Sequence, residues 1–86
     1  MKYYVVTVTE DDGWQADHRT IGVKTSFRDA VDLMIAEENK FQSRHDYKNE
    51  PEIFKLKRTP NYVFYDCNGD WWWKVEYEEV EENENV

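Results

Sequence analysis

Asp66-Cys67-Asn68-Gly69-Asp70 sets oxygen-bearing side chains at alternate positions, the spacing with which a loop wraps a hard cation such as calcium. The rest of such a loop is missing. Trp71 stands where a sharp turn needs glycine, and Tyr77 where a bidentate glutamate closes the shell. A polar hairpin turn is the simpler reading. His18, His45 and Cys67 are the remaining residues with nucleophilic or proton-transfer chemistry. Asp46 could orient His45, and Cys67 could attack an electrophile. Nothing in their spacing brings them together, and no Gly-rich loop or nucleophile elbow accompanies them. The sequence therefore leads us to expect no catalytic residues, no metal site and no cofactor.

Two further patterns concern charge. Lys55, Lys57 and Arg58, with Lys48 nearby, could pair the phosphates of a single strand while Tyr65 and Trp72 stack on its bases. Six glutamates (Glu76, Glu78, Glu79, Glu81, Glu82, Glu84) could do the reverse, standing in for phosphates to occupy a nucleic-acid-binding protein. The net charge is −8 over 86 residues, with 11 basic and 19 acidic side chains. Residues 1–74 hold all 11 basic groups and 13 acids, so 11 − 13 = −2, and the other six acids follow. That balance disfavours nucleic acid as a ligand. It predicts a nearly neutral stretch over residues 1–74 with the acidity gathered after it, in a single domain over 1–80 followed by an acidic, flexible tail over 81–86.

The elements that must position these residues are legible from pattern. Residues 3–9 are β-branched and aromatic, a strand with apolar groups on both faces. Residues 20–24 read as a shorter strand, with Ile21 and Val23 on one face and Gly22 between them. Ser26 is a helix N-cap, with Asp29 three positions on. Phe27, Ala30, Val31, Met34, Ile35 and Phe41 then recur at helical spacing, predicting a helix over 27–41. Residues 53–58 form a strand alternating Phe54 and Leu56 with Lys55 and Lys57.

Asn68-Gly69 suits a two-residue hairpin turn between strands over 62–66 and 71–77. That register opposes Asp66 to Trp71 and Tyr65 to Trp72. It puts Tyr62, Phe64, Trp71, Trp73, Val75 and Tyr77 on a core face. Val63, Tyr65, Trp72, Lys74 and Glu76 are left on a second, wetter face. Trp71, Trp72 and Trp73 cannot share one side of a strand, so Trp72 is the indole offered outward. Tyr65, Trp72 and Lys74, with Glu76, Glu78 and Glu79 beyond them, make the candidate binding set. The predicted architecture is α+β: a small antiparallel sheet in the order ββαβββ with one helix packed on one face.

A chain of this length makes one domain, and its 14 aromatic side chains help so small a core. The single cysteine excludes an internal disulfide and suits a reducing, cytoplasmic setting. No run approaches the ~20 apolar residues of a membrane span, so no membrane contact is expected.

The segment Thr20-Ile21-Gly22-Val23-Lys24-Thr25-Ser26-Phe27-Arg28-Asp29-Ala30 resembles small uncharacterised bacterial and phage α+β proteins. These carry a first strand, an Ile-Gly-Val-aromatic-Ser segment, a helix with an early alanine and an aromatic strand ending in acids. Lys24-Thr25 departs from that pattern where an aromatic is usual, and Phe27 replaces it. The resemblance implies a phage or mobile-element origin and assigns no activity. The expected function is a non-enzymatic, acidic interaction protein that binds a host or cognate protein and modulates or inhibits it. The same exposed apolar face would also fit a homodimer. Nucleic-acid mimicry and weak single-strand binding are the alternatives.

Overall fold

The structure, a computed structural model, describes residues 1–44, 57–59, 61–67 and 71–81. In chain order they form β1 (Lys2–Asp11), β2 (Ala16–Lys24), α1 (Phe27–Arg44), β3 (Lys57–Thr59), β4 (Tyr62–Cys67) and β5 (Trp71–Glu81). All five strands join one antiparallel sheet in the order β2-β1-β5-β4-β3, and the helix packs on one face of it. This is the α+β fold the sequence predicts. The first and last strands lie side by side at its centre, paired from Lys2↔Glu81 to Asp11↔Trp72. β5 runs through Glu81, one residue past the expected end of the body, and residues 82–86 lie outside those described.

The helix begins where its cap dictates. The Asp29 amide donates to Ser26 Oγ at 3.0 Å, satisfying one of the first-turn donors. It runs three residues beyond the expected limit, to Arg44, a cation suited to the negative helix end. Its buried stripe is Ala30, Met34, Glu38 and Phe41. Two members of the expected stripe sit further out: Ile35 is 47% exposed and Phe27 50%. Phe27 still meets the edges of Tyr4 and Tyr77, with centroids at 6.0 and 5.5 Å.

The core lies between this stripe and one sheet face. Val6, Val8, Val75 and Trp73 are fully buried, with Val63 and Tyr65 beside them. Phe41 is the hub: its ring stacks on Trp73 at 4.4 Å and on Trp71 at 5.6 Å, and tilts against Tyr65 at 4.8 Å. Such ring pairs add about 0.5–1.5 kcal/mol each beyond the area they bury.

β2 is longer than expected because polar residues at 16–19 extend it along a sheet edge, where one face and one flank are wet. It also carries a bulge. The register steps between Val6↔Gly22 and Thr7↔Thr20, leaving Ile21 as the extra residue. Ile21 therefore packs towards the core, while Val23 turns to the other face and is 57% exposed. The expected pairing of Ile21 with Val23 on one face is corrected by this single inserted residue. Of the strand expected over 53–58, residues 57 and 58 belong to β3, and 53–56 lie outside the described residues.

Candidate functional site

The register of β4 on β5 decides which side chains face outward. Cys67 opposes Trp71, Asp66 opposes Trp72, Tyr65 opposes Trp73 and Phe64 opposes Lys74. This is one residue off the expected register, since three positions rather than two connect the strands. Because side chains alternate with a period of two, the slip exchanges the faces of β4 against β5. On β5 the expectation holds. Trp73 is fully buried, Trp71 is half-buried against Phe41, and Trp72 lies on the opposite face.

On β4 the faces are reversed. Tyr65, expected outside with Trp72, is 2% exposed and faces the helix. Its hydroxyl donates to Glu38 Oε2 at 2.5 Å and accepts from Gln42 Nε2 at 2.8 Å. Glu38, itself 5% exposed, also accepts two bonds from Arg58 Nη2 at 2.7 and 2.9 Å. A buried carboxylate is tolerable only when so many donors converge on it. The network corrects one expectation: Tyr65 is a core residue. Arg58 pairs with a glutamate and not with a phosphate, which weighs against the single-strand alternative. Among the described residues the one buried side-chain polar atom left without a partner is Trp73 Nε1.

The face away from the helix holds Phe64 and Tyr62 in place of Tyr65. Phe64 and Trp72 meet at 5.7 Å between ring centroids. With Lys57, Asn61, Tyr62, Lys74 and Glu76 they line a shallow groove of about 490 Å³. Lys74 pairs with Glu76 along the strand at 3.4 Å. Tyr3, Val5, Val23 and Val80 make a second apolar cluster near the other end of β1 and β5. Thr7 and Thr9 lie between, and Thr9 Oγ1 meets His18 Nδ1 at 2.8 Å. Across one row of the sheet, Trp72 sits between Asp11 on β1 and Asp66 on β4. Among the described residues, four carboxylates (Asp11, Asp66, Glu76, Glu78) and two lysines (Lys57, Lys74) lie on this side.

The acid run is split by the same alternation. Glu76 and Glu78 share the open face, while Glu79 lies on the helix side and pairs with Lys2 at 2.9 Å. That contact raises the Lys2 pKa, first through the hydrogen bond to Glu79 and then through its charge. Of the six candidate residues, the structure groups Trp72, Lys74, Glu76 and Glu78. It separates Tyr65 and Glu79 from them.

Sequence reasoning passed over Trp14. Its indole is 95% exposed, at the turn joining β1 to β2. The available signal was an aromatic inside a run of turn formers, Asp11-Asp12-Gly13, which places it at a tip and not in a core. A second concavity of about 400 Å³ lies between the end of α1 and β2, lined by Arg19, Ile21, Glu37, Lys40, Ser43 and Arg44. Its three cations each meet an acid: Arg19–Asp17 at 2.8 Å, Lys40–Glu37 at 3.2 Å and Arg44–Glu10 at 4.0 Å. That offsets the charge an anionic ligand would need. Among the described residues no group of three or more His, Cys, Asp and Glu side chains is placed to hold a metal ion. His45 and residues 68–70 of the calcium-like segment lie outside the described residues. No described helix is long and apolar enough to cross a membrane.

Fold and surface together define a small α+β domain with the helix on one sheet face and no described element on the other. Compared with known proteins, the chain matches no family model, no curated protein and no solved structure.

Proposed function

We propose that this chain is a non-enzymatic interaction protein that docks a protein partner on the open face of its sheet, with Trp72 at the centre of the contact. The observation that carries the reading is the composition of that face. Aromatic and aliphatic side chains lie there in two clusters (Trp72, Phe64 and Tyr62; Tyr3, Val5, Val23 and Val80), and none of the described elements covers them. Among the described residues of that face carboxylates outnumber lysines, which favours a partner with basic groups and speeds its encounter. Tryptophan and tyrosine at the centre of such a patch are the side chains on which binding energy concentrates. The resemblance to small phage proteins supports a host protein in the cytoplasm as the target, modulated or inhibited by occupation of its surface.

The two nucleic-acid readings draw less support. A phosphate mimic needs its acids on one side, and β5 divides them between two. A single-strand binder loses Tyr65 to the core and Arg58 to Glu38.

The test is affinity capture from host extract, purification of the retained protein and measurement of its Kd for variants. Trp72→Ala is expected to weaken binding by at least about tenfold, with far-UV circular dichroism unchanged. Raising the salt concentration is expected to slow association more than it speeds dissociation. Unchanged affinity in Trp72→Ala and in Glu76→Gln/Glu78→Gln alike rejects the open face as the contact.

A further inference from the structure

Among the described residues the most exposed large apolar side chain is not on the open face; it is Trp14, at 95%. A tryptophan in water is ordinary on a loose loop. This one is held on a turn that several hydrogen bonds fix. Asp12 Oδ1 accepts from the amides of Trp14 and Gln15, both at 2.9 Å. Asp11 Oδ1 accepts from the Gly13 amide at 2.8 Å, and the Asp12 amide donates to the Gln15 carbonyl at 3.3 Å. Gly13 takes φ 88°, a left-handed conformation that side chains with a Cβ rarely adopt. Asp12 holds its proton less tightly than an ordinary aspartate, chiefly through the Gln15 amide and next the Trp14 amide, so the charged, turn-fixing form persists to lower pH than in an ordinary aspartate.

The consequence is an indole presented on a pre-ordered tip. Ordering entropy at the backbone is already spent before any encounter, and a tryptophan has only two side-chain torsions left to fix. Asp11 and Asp12 lie beside it in sequence, and the basic residue nearest to it in sequence, Arg19, is paired with Asp17 at 2.8 Å. Carboxylates at the base of an apolar knob repel an anionic surface and attract a cationic one.

We infer that Trp14 is an anchor that enters an apolar recess of a partner protein whose rim carries lysine or arginine. The inference rests on the reading of the chain as an interaction protein and places a second contact on it, apart from the groove at Trp72.

A defined probe tests the chemistry directly. The full chain is titrated with an amidated peptide of alternating leucine and lysine, which offers apolar side chains between ammonium groups. Emission of the intact protein is expected to shift to the blue on binding, and acrylamide quenching to fall. Trp14→Ala, a change at a fully solvated position, is expected to weaken binding by tenfold or more, and Trp14→Phe by less. Ile35→Ala, an exposed apolar change on the helix, is expected to stay within threefold of the parent. Raising salt to 0.5 M is expected to cost at least tenfold.

The inference is overturned if the peptide does not bind, if Trp14→Ala binds like the parent, if Ile35→Ala loses as much, or if salt has no effect. It is also overturned if the blue shift appears with vesicles of neutral phosphatidylcholine. Concentration-dependent dimerisation that Trp14→Ala abolishes overturns it as well, since the recess would then belong to a second copy. Trp72→Ala, measured alongside, separates the two contacts. A loss at Trp72 with none at Trp14 leaves the open-face reading standing and rejects this one. A loss at Trp14 with none at Trp72 supports this one and rejects the groove.

Discussion

Glu38 shows how one side chain settles the role of others. A carboxylate 5% exposed persists because Tyr65 and Arg58 both donate to it, with Gln42 held behind Tyr65. Removing one partner leaves the rest buried and unsatisfied, which costs more than the bond itself. Glu38→Ala is expected to lower unfolding free energy by about 2–4 kcal/mol, under the range for fully buried pairs because the Arg58 side chain is 53% exposed and can rehydrate. Tyr65→Phe is expected to cost about 1–3 kcal/mol, and the double variant less than the sum. Urea unfolding with an unchanged m-value checks all three. A fully additive double variant, or a Glu38→Ala change below about 0.5 kcal/mol, rules out the network as a stabilising unit. The helical stripe did not betray this residue. Its periodicity marks position 38 as inward-facing, but the donors that make a glutamate acceptable there come from β3 and β4, twenty or more positions away.

Elements were legible where local pattern and tertiary environment agree. The Ser26 cap, the helical period through Phe41 and the β-branched run of β1 each point to one answer. They failed where one residue changes phase. The connection after Cys67 spans three positions, so the β4 faces are reversed although each strand was placed correctly. The β2 bulge does the same to Val23. Both errors share a cause: alternation has only two phases, and a single inserted residue, invisible in composition, selects between them. The candidate site inherits this. Trp72, Lys74, Glu76 and Glu78 share a face as expected because β5 carries its own phase in the indole triplet, whereas Tyr65 depended on the partner register. At the bulge, Gly22 lets strand and helix approach closely, and a Cβ there would meet Leu33 Cδ2 at 2.6 Å. That atom ends a flexible side chain, so Gly22→Ala is expected to be nearly neutral. Gly22→Val is expected to cost about 1–3 kcal/mol by overpacking, and Leu33→Ala to reduce that penalty. Thermal unfolding of the single and double variants measures it; equal penalties for valine in both backgrounds remove Leu33 as the cause.

At the scale of the molecule, the chain closes on itself. Two hairpin units, β1–β2 and the meander β3–β4–β5, meet in the sheet only where the first strand pairs with the last. That pairing joins Lys2 to Glu81, so it closes a loop nearly as long as the chain. Contacts of this separation are gained late and lost with the whole fold. β1 and β5 are bonded on both flanks and bury Val6, Val8, Trp73 and Val75, whereas β2 and β3 are bonded on one. Native-state hydrogen exchange is therefore expected to be slowest at the β1 and β5 amides, with an opening free energy equal to that of global unfolding. The β3 amides are expected to open first, since that strand has three residues and one neighbour. Trp72, Lys74, Glu76 and Glu78 sit on the strand least able to open, so the proposed contact face is a stiff platform and a partner need not order it. Equal protection in β3 and β5 would mean the sheet opens as one unit. β5 amides that exchange before those of β3 would mean the two halves separate first, and a face built across β1, β5 and β4 could not then stay rigid.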